Sequence, residues 1–478
     1  MVFSSQIFLF WFLPLALVGY YALLAGPRWS RHLFLTCASY VFYGWANPSF
    51  VVLLFATTTV DFFLALWIAR EPRPLGGPRS RSQRAALLLS LTSNLGLLAY
   101  FKYANFAVES YSGLMMLLGL DHLAWREFMR VTLPLGISFY IFHSLSYTID
   151  VYRGHIAATR SYLDFAAFVS LYSQLVAGPI IRYAEVAKQI VARTHTLPKF
   201  ARGVAMFSFG MAKKVLLANP CGKVADACFD AGSLGAADAW LGAFAYAFQI
   251  YFDFSGYSDM AIGLGLMMGF TFPKNFDSPY RSRSITDFWN RWHLSLSTWL
   301  RDYLYLPLGG NRKGPRRTYV NLMIVMLLGG LWHGASANFV VWGAIHGGWL
   351  AWERARGRRG IAAGLPEPLQ VAATFAIVTF AWVFFRAPDL PAALRYLGQM
   401  AGVGPVQEGA PLVGGVVHQP YYLLCMAAAA VVVWGAPQAW DFTRRITLPR
   451  AALALALLGL ACAMLFAQTF NPFIYFMF

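Results

Sequence analysis

Leu327-Leu-Gly-Gly-Leu-Trp332-His333-Gly334-Ala-Ser336 closes one apolar run, 318–333, and opens a second, 336–352, that carries the chain back. Two hydrophobic helices joined at a Gly-bounded break, with an imidazole at the turn, are a membrane hairpin rather than a soluble motif. The same kind of run recurs on both sides. Apolar segments fall at 7–25, 32–46, 49–69, 85–107, 131–151, 163–178, 203–218, 238–253, 256–272, 369–386, 420–436 and 451–470. Several lie near the roughly 20 residues that cross a bilayer. Others are too short or too polar, and are expected to be half-helices or re-entrant pieces buried in protein.

Composition agrees. Of 478 residues, 58% are hydrophobic and 12% charged, against about a quarter charged in soluble domains. No polar block is long enough for a separate domain, so residues 1–478 read as one membrane domain. Its chemistry is concentrated in 249–352. The net charge of +17 sits in short loops such as Arg70–Arg84, Arg312–Arg317 and Arg354–Arg359. That is the positive-inside pattern of cytoplasmic loops, not a basic stripe for nucleic acid.

Arg28 and Arg31 follow the first run, which puts the N-terminus outside. The basic 70–84, 273–317, 353–368 and 437–450 loops then fall inside. Residues 109–130, with Glu109, Asp121 and Glu127 against Arg126 and Arg130, have no cationic excess and fit outside. Cations flank both sides of 163–178, where a re-entrant element is expected. Ile7–Ala25 has no basic residue before it and is long for a signal-peptide core, so it reads as a retained span. Cys37, Cys221, Cys228, Cys425 and Cys462 are scattered, with no disulfide framework and no metal site implied. No internal repeat is visible, unlike inverted-repeat transporters.

Upstream, Gln249-Ile-Tyr-Phe-Asp253-Phe-Ser-Gly256-Tyr-Ser-Asp259 puts two carboxylates in apolar sequence. Two readings stay open. Ser255-Gly256 breaks a helix and Asp259 caps the next, or the carboxylates line a polar passage, as intramembrane acids often do. Then comes Phe288-Trp-Asn290-Arg-Trp-His293-Leu-Ser-Leu-Ser-Thr-Trp-Leu-Arg301. At helical spacing Trp289, Trp292, Leu296, Trp299 and Leu300 share much of one face, as in an anchor at the lipid–water boundary. An anchor does not require His293.

A lone histidine on an apolar face is usually a satisfied structural group. His333 differs in its intramembrane position, its flanking glycines, which let other backbone approach, and the polar His293 one loop upstream. His346, on the following helix, reads as a packing or supporting residue. A neutral imidazole, favoured by burial, takes the proton from a hydroxyl as that oxygen attacks an acyl thioester. Such base help is worth about 100- to 10,000-fold. His293 or Asn290 is placed to orient the base or to hydrogen-bond the developing oxyanion. No serine elbow or Cys–His signature stands out, which favours direct transfer.

Leu331-Trp-His333-Gly, Phe288-Trp-Asn-Arg-Trp-His293, Trp299-Leu-Arg-Asp-Tyr-Leu-Tyr-Leu-Pro307 and the opening Met1-Val-Phe-Ser-Ser together resemble the membrane-bound O-acyltransferase superfamily. Within it they resemble most the bacterial alginate O-acetylase (AlgI-like) branch, with the D-alanyl transfer protein of teichoic-acid modification as a cousin. The resemblance runs over essentially the whole chain and is densest at 250–350. It implies an all-α, polytopic transmembrane fold with re-entrant and interfacial helices around a central tunnel. By the same resemblance, His333 matches the invariant histidine and His293 the second active-site position, the two facing each other near mid-membrane.

The implied reaction moves acetyl from a cytoplasmic donor, acetyl-CoA, across the bacterial inner membrane. A periplasmic SGNH-hydrolase-like partner then receives or finishes the transfer onto an exopolysaccharide such as alginate or cellulose. No cofactor is implied beyond the donor. Asn290, Asp253, Asp259, Arg301 and Trp332 are the candidate substrate-binding or tunnel residues. Two other functions compete. One is a transporter of polysaccharide or lipid-linked sugar, supported by intramembrane polar groups. The other is a lipid-directed acyltransferase of the same superfamily, which tunnel width would distinguish.

Overall fold

The structure, a computed structural model, describes residues 1–71, 75–125, 130–403, 410–468, 471, 473 and 474. Part of the basic 70–84 loop, and Arg126 and Glu127 of the 109–130 connection, lie outside the described residues. Every element among the described residues is helical. Ser49–Ala69, Arg81–Leu117, Glu367–Arg386 and Leu448–Ala467 are long and apolar enough to cross a membrane, by length and composition. Phe8–Ala22 and Pro420–Gly435 are shorter apolar helices. The chain divides into two compact units, Met1–Thr196 with Met268–Phe272, and Leu197–Met267 with Pro273–Phe478. All five cysteines are free.

In the first unit, Ser49–Ala69, Arg81–Leu117 and Ile137–Arg153 pack together around a polar cluster. Asp61 is fully buried and accepts hydrogen bonds from Ser90 at 2.6 Å, from Asn94 at 2.8 Å and from Ser144. A buried carboxylate is costly unless its oxygens are bonded, and the two neighbouring helices supply the donors. Tyr162–Ser170, in the run expected to be re-entrant, has nine residues. At about 13 Å it is too short to cross, and a buried turn follows it.

The second unit carries the motif-dense sequence. Its longest helix, Ala236–Met267, runs unbroken for 32 residues. The reading of Ser255-Gly256 as a break, with Asp259 as a cap, is therefore wrong. Gly256 serves a helix crossing instead. A Cβ on Gly256 would sit 2.8 Å from the Gly210 carbonyl oxygen, and one on Gly263 would sit 2.6 Å from that of Gly203. Glycines seven residues apart on each helix let Leu197–Ala212 and Ala236–Met267 meet backbone to backbone.

Gly314–His333 and Ala337–Ala355 form the hairpin read from the sequence. A Cβ on Gly330 would strike the Phe339 carbonyl, and one on Gly343 would strike that of Met326. Close approach is thus what these glycines provide. Ser336 caps the second helix by accepting from the Asn338 N–H at 3.3 Å. Asn338 in turn donates to the Ala387 carbonyl at 2.8 Å, tying the hairpin to the end of Glu367–Arg386.

Candidate active site

The tryptophan-rich stretch is not one continuous helix. It folds as Ile285–Trp289, a turn, Leu294–Leu300 and a π-helical turn, Arg301–Tyr305. The break falls at His293, whose φ of 44° is left-handed, an uncommon conformation for a residue with a side chain. Asn275 holds it there. Its carbonyl accepts from the Leu294 N–H at 2.9 Å, and its side-chain oxygen accepts from the Ser295 hydroxyl at 2.9 Å. The Asn275 amide donates to Ser258 at 2.8 Å, which fixes the turn to the long helix. Sequence reading missed Asn275. Its signal was an amide in Pro273-Lys-Asn-Phe, shortly before the histidine motif.

The consequence is a buried imidazole. His293 is 0% exposed, and both ring nitrogens are enclosed without a hydrogen-bond partner among the described residues. The Phe254 ring stands edge-on to it at 4.6 Å. Buried polar atoms are nearly always bonded, so these two nitrogens are exceptions to the rule.

His333 ends its helix and is 7% exposed. Its ring centroid lies 4.9 Å from Trp332, 5.3 Å from Trp342 and 5.0 Å from Phe385. Trp332 also lies 6.2 Å from His293, so one indole borders both imidazoles. His346 is buried, and its Nδ1 accepts from the Trp289 indole at 3.3 Å, a packing and supporting position.

A cleft of about 330 Å³ opens beside His333. Asn290, Arg301, Trp342, Arg354 and Arg358 share its lining with His333. Arg301 donates to Asp302 at 2.7 Å, and that bond holds the guanidinium pKa above its usual value. Arg358 takes a left-handed φ of 65° as its N–H bonds the Glu353 carbonyl. The Glu353 carboxylate accepts from the Ile285 N–H at 2.7 Å and the Thr286 N–H at 2.8 Å. The arginine end is thereby fixed to the start of the histidine motif.

Of the sequence-predicted residues, His333, Asn290 and Arg301 line one cleft. His293 and Trp332 do not line it. Asp253 and Asp259 stand apart in ion pairs, Lys214–Asp253 at 2.7 Å and Lys213–Asp259 at 2.6 Å. Asp253 also accepts from the Ile474 N–H at 2.7 Å. Among the described residues, no group of three or more His, Cys, Asp or Glu side chains is placed to hold a metal.

The described residues thus form a helical membrane protein in which one cleft brings His333 together with Arg301, Arg354 and Arg358. The model of the membrane-bound O-acyltransferase family matches residues 86–385, and the chain belongs to that family and is an O-acyltransferase. Over its whole length it is 45% identical to the whole of a Pseudomonas putida protein named "Probable alginate O-acetylase AlgI". A Pseudomonas aeruginosa protein of the same name is 49% identical over 85% of this chain and 76% of its own length. A Helicobacter pylori "Peptidoglycan O-acetyltransferase" is 36% identical over 85% of this chain and 81% of its own.

Proposed function

We propose that this protein is the inner-membrane acetyltransferase of an exopolysaccharide O-acetylation system, with alginate or a similar polymer such as cellulose as acceptor. It takes acetyl from cytoplasmic acetyl-CoA, and a periplasmic SGNH-hydrolase-like partner receives or completes the transfer. In this reading residues 1–478 work as one membrane domain, with re-entrant and interfacial helices around a tunnel.

One observation carries the proposal: His333 lines the same cleft as Arg354 and Arg358. Trp342 and Arg354 are 12 residues apart on one helix, about 18 Å at 1.5 Å per residue. The cationic end belongs to the basic 353–368 loop, which the charge pattern assigns to the cytoplasm. An elongated, polyanionic thioester entering there would bring its acyl carbon towards the imidazole.

His333 acts as general base. It removes the proton from the acceptor hydroxyl, the oxygen forms a bond to the acetyl carbonyl carbon, and the C–S bond breaks. The departing thiolate takes the proton back as CoA–SH. Asn290, which lines the cleft with His333, supplies a donor for the oxyanion, and His293, which does not line it, orients the base through the Trp332 indole that borders both rings. Arg301, paired with Asp302, brings guanidinium donors to the cleft wall, Trp332 borders both imidazoles, and Asp253 and Asp259 neutralise the lysines beside them. The test is His333→Ala in a polymer-producing strain. Acetate should vanish from the secreted polymer while polymer yield and membrane insertion stay intact. Unchanged acetate in a well-expressed variant would refute the assignment.

A further inference from the structure

A second cleft, of about 590 Å³, lies wholly in the first unit. The C-terminal end of Ser49–Ala69, the start of Arg81–Leu117 and the end of Ile137–Arg153 build it. Three helices therefore end on one side, at the basic 70–84 loop that the charge pattern places in the cytoplasm. We propose that this cleft binds the phosphate headgroup of an anionic phospholipid of the cytoplasmic leaflet.

Charge is the first argument. Among the described residues, Arg70, Arg79 and Arg160 line the cleft against one carboxylate, Glu71, with His155 beside them. None of the three arginines has an ion-pair partner among the described residues. Arg79 is half-buried, its guanidinium carbon 5.7 Å over the Tyr152 ring, and one of its terminal nitrogens is enclosed with no hydrogen-bond partner. A buried guanidinium donor without an acceptor is costly, and phosphate oxygens match its geometry.

Rigidity is the second. Ser80 and Gln83 form a reciprocal capping box at the start of Arg81–Leu117. The Gln83 amide also donates to the Ile68 carbonyl at 2.9 Å and to that of Glu71 at 2.7 Å. The wall is thus pinned from both helices, and the positive end of a 37-residue helix adds to the field.

The third argument selects a lipid over a soluble phosphate. Trp67, 39% exposed and one turn from the rim, donates to Ser82 at 2.8 Å. Phe63 and Leu88 on the same two helices are 61% exposed. An indole at the headgroup level above outward apolar side chains is how a helix meets the membrane interface. Basic pockets between helix ends on this side suit anionic headgroups.

The full-length purified protein in neutral detergent provides the test, with unfolding temperature as readout. Short-chain phosphatidylglycerol is expected to raise the wild-type midpoint by several degrees, and short-chain phosphatidylcholine to leave it unmoved. In R79Q/R160Q, and in the exposed-rim variant R70Q should the double variant fold poorly, that shift should fall by half or more. R312Q/R316Q, which removes loop charge elsewhere, should keep it. Equal stabilisation of the wild type and the cleft variants would overturn the proposal. So would an arginine-dependent shift produced by inorganic phosphate or acetyl-CoA instead of the lipid.

Discussion

The Trp332 indole lies 6.2 Å from the His293 ring and 4.9 Å from that of His333. The two histidines expected to face each other across the site are bordered by one aromatic plate. Replacing Trp332 with Ala should empty a large buried volume and impair both folding and turnover, since such truncations cost about 3–5 kcal/mol. Trp332→Phe should keep most of each. Acetylation of polymer by the two variants, normalised to inserted protein, checks this.

The two imidazoles should differ in the loss they cause. His333→Ala removes the base and should lower turnover by about 100- to 10,000-fold. His293→Gln keeps hydrogen-bonding capacity in the buried position and should lose less than His293→Leu. Single-turnover transfer from labelled acetyl-CoA measures all three. Equal loss for His293→Gln and His293→Leu would remove His293 from the chemistry.

Arg354 and Arg358 should govern donor capture, not the chemical step. R354Q/R358Q should raise KM for acetyl-CoA while leaving kcat nearly unchanged, the pattern of lost uniform binding. A short acetyl thioester without the nucleotide should be used equally well by the wild type and the double variant. If both donors suffer alike, the arginines act on the fold instead.

Lys214 and Asp253 are 3% and 2% exposed at the side chain. Breaking such a pair leaves a buried charge alone, at about 3–5 kcal/mol. Asp253→Leu should therefore lower the unfolding temperature sharply, and adding Lys214→Met should restore most of it. Loss of polymer export with acetylation intact in a folded Asp253 or Asp259 variant would favour the transporter reading.

The helical membrane class was legible because apolar runs and basic loops are properties of the sequence itself. The place of His333 at a helix junction was legible for a related reason: glycines on either side of a histidine between two such runs mark a tight turn between helices. Two local readings failed. Ser255-Gly256 looked like a break because glycine weakens a lone helix, but Gly256 faces Gly210 on another helix, which no local pattern reveals. The tryptophans at helical spacing looked like one helix, whereas Asn275, 18 residues before His293, bonds Leu294 and Ser295 at a left-handed turn. The lysine partners of Asp253 and Asp259 lie 39 and 46 residues upstream, so no local pattern revealed the ion pairs.

Lys213 and Lys214 are neighbours in a π-helical turn, Lys213–Ala218, yet each reaches a different carboxylate on the same long helix. Asp253 and Asp259 are about 9 Å apart along that helix. Sliding either helix by one turn would strand two ammonium groups at once, and rotating it would part at least one of them. These helices, already meeting through paired glycines, are thus clamped in register as a fixed keel. Whatever opens the way for acyl donor or acceptor has to be a movement of other parts of the molecule.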